Sequence, residues 1–397
     1  MTEFDRIIPR EETASVKYDG RTGYFGKADV IPLWVADMDF AVPEAVSTAL
    51  ARRAAHPVFG YTLATDGVLQ SLIDWQEHRH GWRIEREWII LCPGVVPALH
   101  AAVLALSEPG AGVLVQPPVY FPFFSAVTTC GRRLLENQLL LDDGRYAMDY
   151  ADLEQHAQAG ASLLILCSPH NPVGRVWDAD ELARVLEIAD RYGMTVLSDE
   201  IHADLVYPGY RNRSLGHLAG NADNIVTAVA PSKTFNIPGL GLSALVVPCP
   251  QRRQKLREAF GQLHMTASNP FSLVAFEAAY REGGPWLDRL LAYLAQTRDF
   301  VRDFLRTRLP AIHLIEPEGT YLLWMDCRKL GLTDAELQHF FVHEAGVGMN
   351  PGTVFGRGGS GFMRMNIGAP RSLIAKALEQ IDSAARRRGL STQEGAY

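Results

Sequence analysis

Lys233 lies in Ala230-Pro231-Ser232-Lys233-Thr234-Phe235-Asn236-Ile237-Pro238-Gly239-Leu240, a lysine flanked by two hydroxyls in a loop bounded by proline and glycine. Such an amine suits a Schiff base with a carbonyl cofactor, given a loop that fixes its position and donors for whatever anion the cofactor carries. Ser232 and Thr234 could supply those donors. A Ser-Lys pair alone is ordinarily a solvated surface charge, so its company matters. Ser198-Asp199-Glu200-Ile201-His202 follows the apolar run 194–197, which reads as a buried strand ending in a carboxylate. Residues 163–167 read as a second strand, running into Ser168-Pro169-His170-Asn171-Pro172-Val173-Gly174. Both place polar groups at strand carboxyl ends, where open α/β sheets bind ligands.

The elements that must position these groups follow from the alternation of patterns. Short apolar runs at 112–116, 163–167, 194–197, 225–229 and 244–247 are mostly separated by helical stretches such as 179–192. That is the signature of a mostly parallel sheet covered by helices. Beyond about Tyr280 the texture changes to a long amphipathic helix, 285–309, then strand, helix and strand over 321–325, 334–344 and 362–366, which reads as a second, smaller domain. A chain of 397 residues with 47% hydrophobic content has ample core for two domains.

Net charge −7 and a pI near 6.0 argue against a nucleic-acid groove or an anionic membrane as the main partner. No apolar run approaches the roughly 18 residues of a membrane helix, and the start Met1-Thr2-Glu3-Phe4-Asp5 has no signal-peptide pattern. A cytoplasmic protein is expected. Five scattered cysteines without a Cys-x-x-Cys pair read as reduced thiols, and no metal site is expected.

Ser-Pro-x-Asn-Pro-x-Gly at 168–174, Ser-Asp-Glu-Ile-His at 198–202 and Pro-Ser-Lys-Thr-Phe-Asn at 231–236 resemble fold-type I pyridoxal-phosphate enzymes of the class I/II aminotransferase superfamily. Four more segments resemble one branch, the MalY/PatB-type cystathionine β-lyases or C-S lyases. They are Trp34-Val35-Ala36-Asp37-Met38-Asp39-Phe40, Phe59-Gly60-Tyr61-Thr62, Gln116-Pro117-Pro118-Val119-Tyr120 and Gly284-Pro285-Trp286-Leu287-Asp288. The likeness runs from about Phe4 to the final helix, with the motifs in family order. It implies an α/β fold with a large cofactor-binding domain over 46–280, built on a mostly parallel seven-stranded sheet. A smaller α+β domain of 1–45 and 281–390 and a flexible tail over 391–397 complete it.

The resemblance also implies pyridoxal 5'-phosphate as cofactor, and roles for the candidate residues. Lys233 would carry the cofactor and act as base. Val95 and Val96, first amides of a helix entered from Pro93-Gly94, would bind the phosphate with Ser232, since free amides and the helix dipole form an anion site. Tyr61 would reach in from the partner subunit of a homodimer with shared sites. Asp199 would keep the pyridine nitrogen protonated, Asn171 and His202 would bind the phenolic oxygen, and Tyr120 would stack on the ring. Arg364, alternating with apolar neighbours in Phe362-Met363-Arg364-Met365-Asn366, would pair with the substrate carboxylate beside Asn171. A cis bond is implied before Pro172.

Two positions depart from the wider family: Gly241 stands where many aminotransferases have a phosphate-binding arginine, and Ala230 where they have a hydroxyl. The expected reaction is β-elimination at L-cystathionine or another S-substituted L-cysteine, a small amino-acid substrate. An aminotransferase is the alternative, and a regulatory protein acting through a protein partner the more distant one.

Overall fold

The computed structural model describes residues 2–390; the tail expected over 391–397 lies outside the described residues. Seven strands form the main sheet: β1 Ile89–Cys92, β2 Gly112–Val115, β3 Arg133–Glu136, β4 Ala161–Cys167, β5 Thr195–Asp199, β6 Ile225–Val229 and β7 Ser243–Val246. Their order is β1-β7-β6-β5-β4-β2-β3. Only β7 runs antiparallel to its neighbours. The mostly parallel sheet expected from the apolar runs, with the seven strands that the resemblance implies, is therefore present. β5 and β6 are buried at every residue and β4 at all but one, as the largely apolar runs at 163–167, 194–197 and 225–229 require when helices cover both faces. The edge strand β3, with Arg133 and Glu136 at its ends and little burial, carries no such run and has no clear sequence signal.

Two helices enter the site's architecture, α1 Asp66–His80 and α2 Val95–Leu106, and a third, α3 Gly284–Arg308, is the long helix of the C-terminal part. Beyond α3, β8 Leu322–Asp326 and β9 Phe362–Asn366 pair antiparallel at the centre of a four-stranded sheet. The helix expected over 334–344 divides into an α-helix, Asp334–His339, and a π turn, Phe340–Glu344. The wider turn accompanies burial of three consecutive apolar residues, Phe340, Phe341 and Val342.

The N-terminal segment packs on α3. Phe4 lies 5.1 Å from Phe40 and 5.6 Å from Trp286 between ring centroids, and Phe40 lies 5.6 Å from Tyr293. This brings residues 34–40 across the carboxyl ends of the main strands, where β9 also arrives.

Candidate active site

The cleft at those strand ends has a volume of about 280 Å³, near the lower end of small-molecule sites. Eight of the eleven residues singled out from the sequence line it: Val95, Val96, Tyr120, Asn171, Asp199, His202, Ser232 and Lys233. Arg364 is buried beside it, with Nη1 donating to Asn171 Oδ1 at 3.0 Å. Tyr61 is fully exposed and does not line the cleft of its own chain.

Each side chain arrives by a definite local route. β1 ends at Cys92, and Gly94, at φ 141°, turns the chain into α2 through a backbone conformation side chains rarely adopt. The third residue of α2 is Pro97, which has no N–H, and the Ala98 N–H is spent on Gly94 O. The Val95 and Val96 amides remain without acceptors among the described residues, facing the cleft with the positive end of the helix. Asp199 is the last residue of β5, paired in register with Cys167 of β4 and Ala228 of β6. The Asn171–Pro172 bond after β4 is cis, as the resemblance implies.

The electrostatics follow from burial. Burial lowers the Lys233 amine to about 8, with Arg364 acting in the same direction and Asp37 and Asp199 against it. Burial raises the Asp199 carboxyl to about 6, although the Ile201 N–H donates to it at 3.1 Å and Lys233 is near. A cationic N–H beside that carboxylate would reverse the shift. Burial depresses His202 to about 3, so the ring is neutral, and its buried Nδ1 has no partner among the described residues. Phosphate-sized donors at one end, a carboxylate in the floor, an orphaned histidine nitrogen and a reactive amine make a donor set that fits pyridoxal phosphate.

The family model for aminotransferase class I and II matches residues 28–381. The chain belongs to that family. Within it, the chain is 43% identical to cystathionine beta-lyase PatB of Bacillus subtilis, over 96% of this chain and 99% of PatB. It is 31% identical to protein MalY of Escherichia coli, over 97% and 99%. The structure superposes on cystalysin from Treponema denticola, which contains pyridoxal 5'-phosphate, with a TM-score of 0.94 and 36% identity over 98% of this chain and 100% of cystalysin.

Against the wider aminotransferase family, Gly241 is a structural departure as well as a chemical one. It is left-handed at φ 53°, and a Cβ there would stand 3.2 Å from Pro93 O. An arginine is disfavoured at that position by backbone and space alike. Thr234 does not serve the cleft: its fully buried hydroxyl donates to Asp204 Oδ2 at 2.8 Å. Asp204 Oδ1 in turn accepts from Trp75 Nε1 at 3.0 Å and bonds His80 Nε2 at 2.8 Å, both on α1. A buried carboxylate thus anchors the lysine loop from behind.

Sequence reasoning missed Tyr321, Asn350, Asn366 and Ala36. Arg364 Nη2 donates to Asn350 Oδ1 at 2.7 Å and to Trp34 O at 2.9 Å, while Lys233 Nζ donates to Ala36 O at 2.6 Å. Asn366 was findable, because it stands two residues past Arg364 on the same face of β9.

Proposed function

We propose that this chain is a pyridoxal-phosphate-dependent carbon-sulfur β-lyase acting on L-cystathionine or other S-substituted L-cysteines, giving thiol, pyruvate and ammonia. The observation that carries the reading is Lys233: its amine, lowered to about 8, faces the same cleft as a buried carboxylate and two free helix amides. Near-full-length identity to a cystathionine β-lyase supports the reaction type. When bound, pyridoxal phosphate supplies an aldehyde for amines to condense with and a pyridinium ring to take up the electron pair of a Cα carbanion.

The chain's own residues do the rest. The Val95 and Val96 amides and Ser232 hold the phosphate, and Asp199 holds the proton on the ring nitrogen. Asn171 and His202 donate to the phenolic oxygen, and Tyr120 covers the ring and excludes water. Arg364 fixes the substrate α-carboxylate and so aims the Cα–H bond at Lys233, which takes the proton as general base. A cysteine-like thiolate, with a conjugate acid near pKa 8.5, then departs from Cβ.

Aminotransfer is the second reading, favoured by the aminotransferase class I and II family that residues 28–381 match, because the same proton can be returned elsewhere. The experiment is product analysis with L-cystathionine. The lyase releases thiol and pyruvate in equal amounts with no keto acid added; a strict keto-acid requirement overturns the reading.

We further propose a homodimer with shared sites, a large domain of 46–280 with a small domain of 1–45 and 281–390, and a cytoplasmic location. The dimer is supported by the apolar run of exposed side chains Val58, Phe59, Tyr61 and Leu63. Packing of Phe4 and Phe40 on Trp286 and Tyr293 supports the discontinuous small domain. Five unpaired cysteines fit a reducing compartment.

A further inference from the structure

The segment Trp34 to Met38 presents five successive backbone carbonyls, and every one accepts a side-chain hydrogen bond. Trp34 O takes Arg364 Nη2 at 2.9 Å, and Val35 O takes Asn366 Nδ2 at 2.6 Å. Ala36 O takes Lys233 Nζ at 2.6 Å and Tyr321 Oη at 2.9 Å. Asp37 O takes Asn366 Nδ2 at 2.7 Å and Lys17 Nζ at 3.2 Å, and Met38 O takes Asn236 Nδ2 at 2.9 Å and Arg10 Nη1 at 3.3 Å. A carbonyl oxygen has two lone pairs, and at Ala36 one belongs to the lysine and the other to Tyr321.

Tyr321 is buried, and its ring stands edge-on to His202 at 6.2 Å, so its hydroxyl is fixed in direction. Resting on the function proposed above, we infer that the Ala36 carbonyl is the seat of the Lys233 amine whenever that amine is not covalently engaged, and that Tyr321 is the positioning residue that fixes this seat. The amine needs a defined place to wait after the substrate displaces it, within reach of the Cα proton; an unheld four-carbon stem would sample many rotamers. The charged groups facing the amine are Asp37, Arg364 and Asp199, with neutral His202 and the phenols Tyr120 and Tyr321 around them.

While the tyrosine hydroxyl shares the Ala36 oxygen, that oxygen is a weaker acceptor for an ammonium than it would be alone. Removing the hydroxyl strengthens the remaining bond to the charged amine and favours the protonated form. Tyr321→Phe removes one oxygen and leaves the ring in place. In the holoenzyme, kcat should fall about tenfold at pH 7 with KM within about twofold, and the acidic limb of the kcat profile should move to higher pH by half a unit or more.

The pH titration of the visible band of the resting holoenzyme, in which the lysine is bound to cofactor and off its seat, should stay put. This split between two titrations is what a merely structural role does not give. Movement of both together, or of neither, overturns the inference. A second measurement uses Lys233→Ala supplied with ethylamine: saturable restoration of Cα-proton exchange in deuterated water that is weakened about tenfold when Tyr321→Phe is added supports the seat, and rescue equal in the two backgrounds overturns it. Neither measurement depends on whether thiol or amino acid is the product, so failure here is distinct from failure of the lyase reading.

Discussion

Replacing Arg364 by alanine removes a guanidinium that the structure has almost fully committed. Its Nη1 donates to Asn171, its Nη2 to Trp34 O and Asn350, and its Cζ lies 4.8 Å from the centre of the Phe355 ring. Only Nε is buried without a partner among the described residues. Burial pulls the group down to about 10, which leaves it charged at neutral pH. Truncating one partner of a buried charge pair costs about 3 kcal/mol, in the middle of the range for such changes. At 1.36 kcal/mol per decade this is a loss of roughly 160-fold in kcat/KM. The same substitution leaves three acceptors to be satisfied by water, each worth about 1–3 kcal/mol if it stays dry, so the unfolding midpoint should fall as well. Arg364→Lys separates the terms: it keeps the charge without the planar fork and should remain at least about tenfold impaired. The assay is steady-state thiol release from L-cystathionine. A loss below about tenfold in Arg364→Ala, or a lysine variant equal to wild type, would falsify the carboxylate role and leave Arg364 as a brace for Asn171 and Asn350.

Lys233→Ala should lose the visible cofactor band and all but about 1% of turnover, since covalent link and base disappear together; higher residual turnover refutes the base assignment. Asp199→Asn should keep cofactor bound yet lose most activity, because a neutral amide does not hold the proton on the ring nitrogen, and near-normal turnover would make Asp199 structural. Mixing Tyr61→Phe with Lys233→Ala subunits should restore activity if Tyr61 serves the neighbouring cleft; no recovery after verified subunit exchange counts against shared sites. Glu200 gives the pH prediction. Burial raises it to about 7, against donors from Ser198 and Leu215. Its folded pKa lies above the unfolded value of about 4.3, so the stability it contributes is fully present below pH 4 and is lost as pH rises through 7. Glu200→Gln stays neutral, and its melting temperature relative to wild type should rise by at least about 2 °C between pH 5 and pH 8.5; a pH-independent difference would contradict the burial argument.

What could be read from the sequence was what strand ends reveal. Asp199, Asn171 and Lys233 each follow an apolar run at a strand's carboxyl end, and a sheet with β4, β5 and β6 adjacent must bring such ends together. Thr234 was misdirected because a hydroxyl beside a lysine has two sides to face, and only the fold reveals that Asp204 waits on the buried one. Tyr321 and Asn350 carried no local signal. Tyr321 precedes β8 and looks like an ordinary aromatic at a strand entry, and its partner is a carbonyl oxygen 285 residues away.

The segment Trp34 to Phe40 divides its labour between side chains and backbone. Trp34, Met38 and Phe40 are buried in apolar clusters and fix the path of the chain. The two carboxylates stay together because Lys17, fully buried, donates to Asp39 at 2.9 Å while Arg10 bonds both Asp37, at 2.8 Å, and Asp39, at 2.6 Å. A buried lysine without such partners would be severely destabilising. With the path and charges fixed, the carbonyls between them point at Arg364, Asn366, Lys233 and Asn236. The segment therefore meets the site chiefly through backbone atoms that every residue possesses; of its side chains, Asp37 also acts by charge on the Lys233 amine, and the others specify where those atoms lie. That is why a motif so distinctive in sequence discloses no chemistry until the chain is folded.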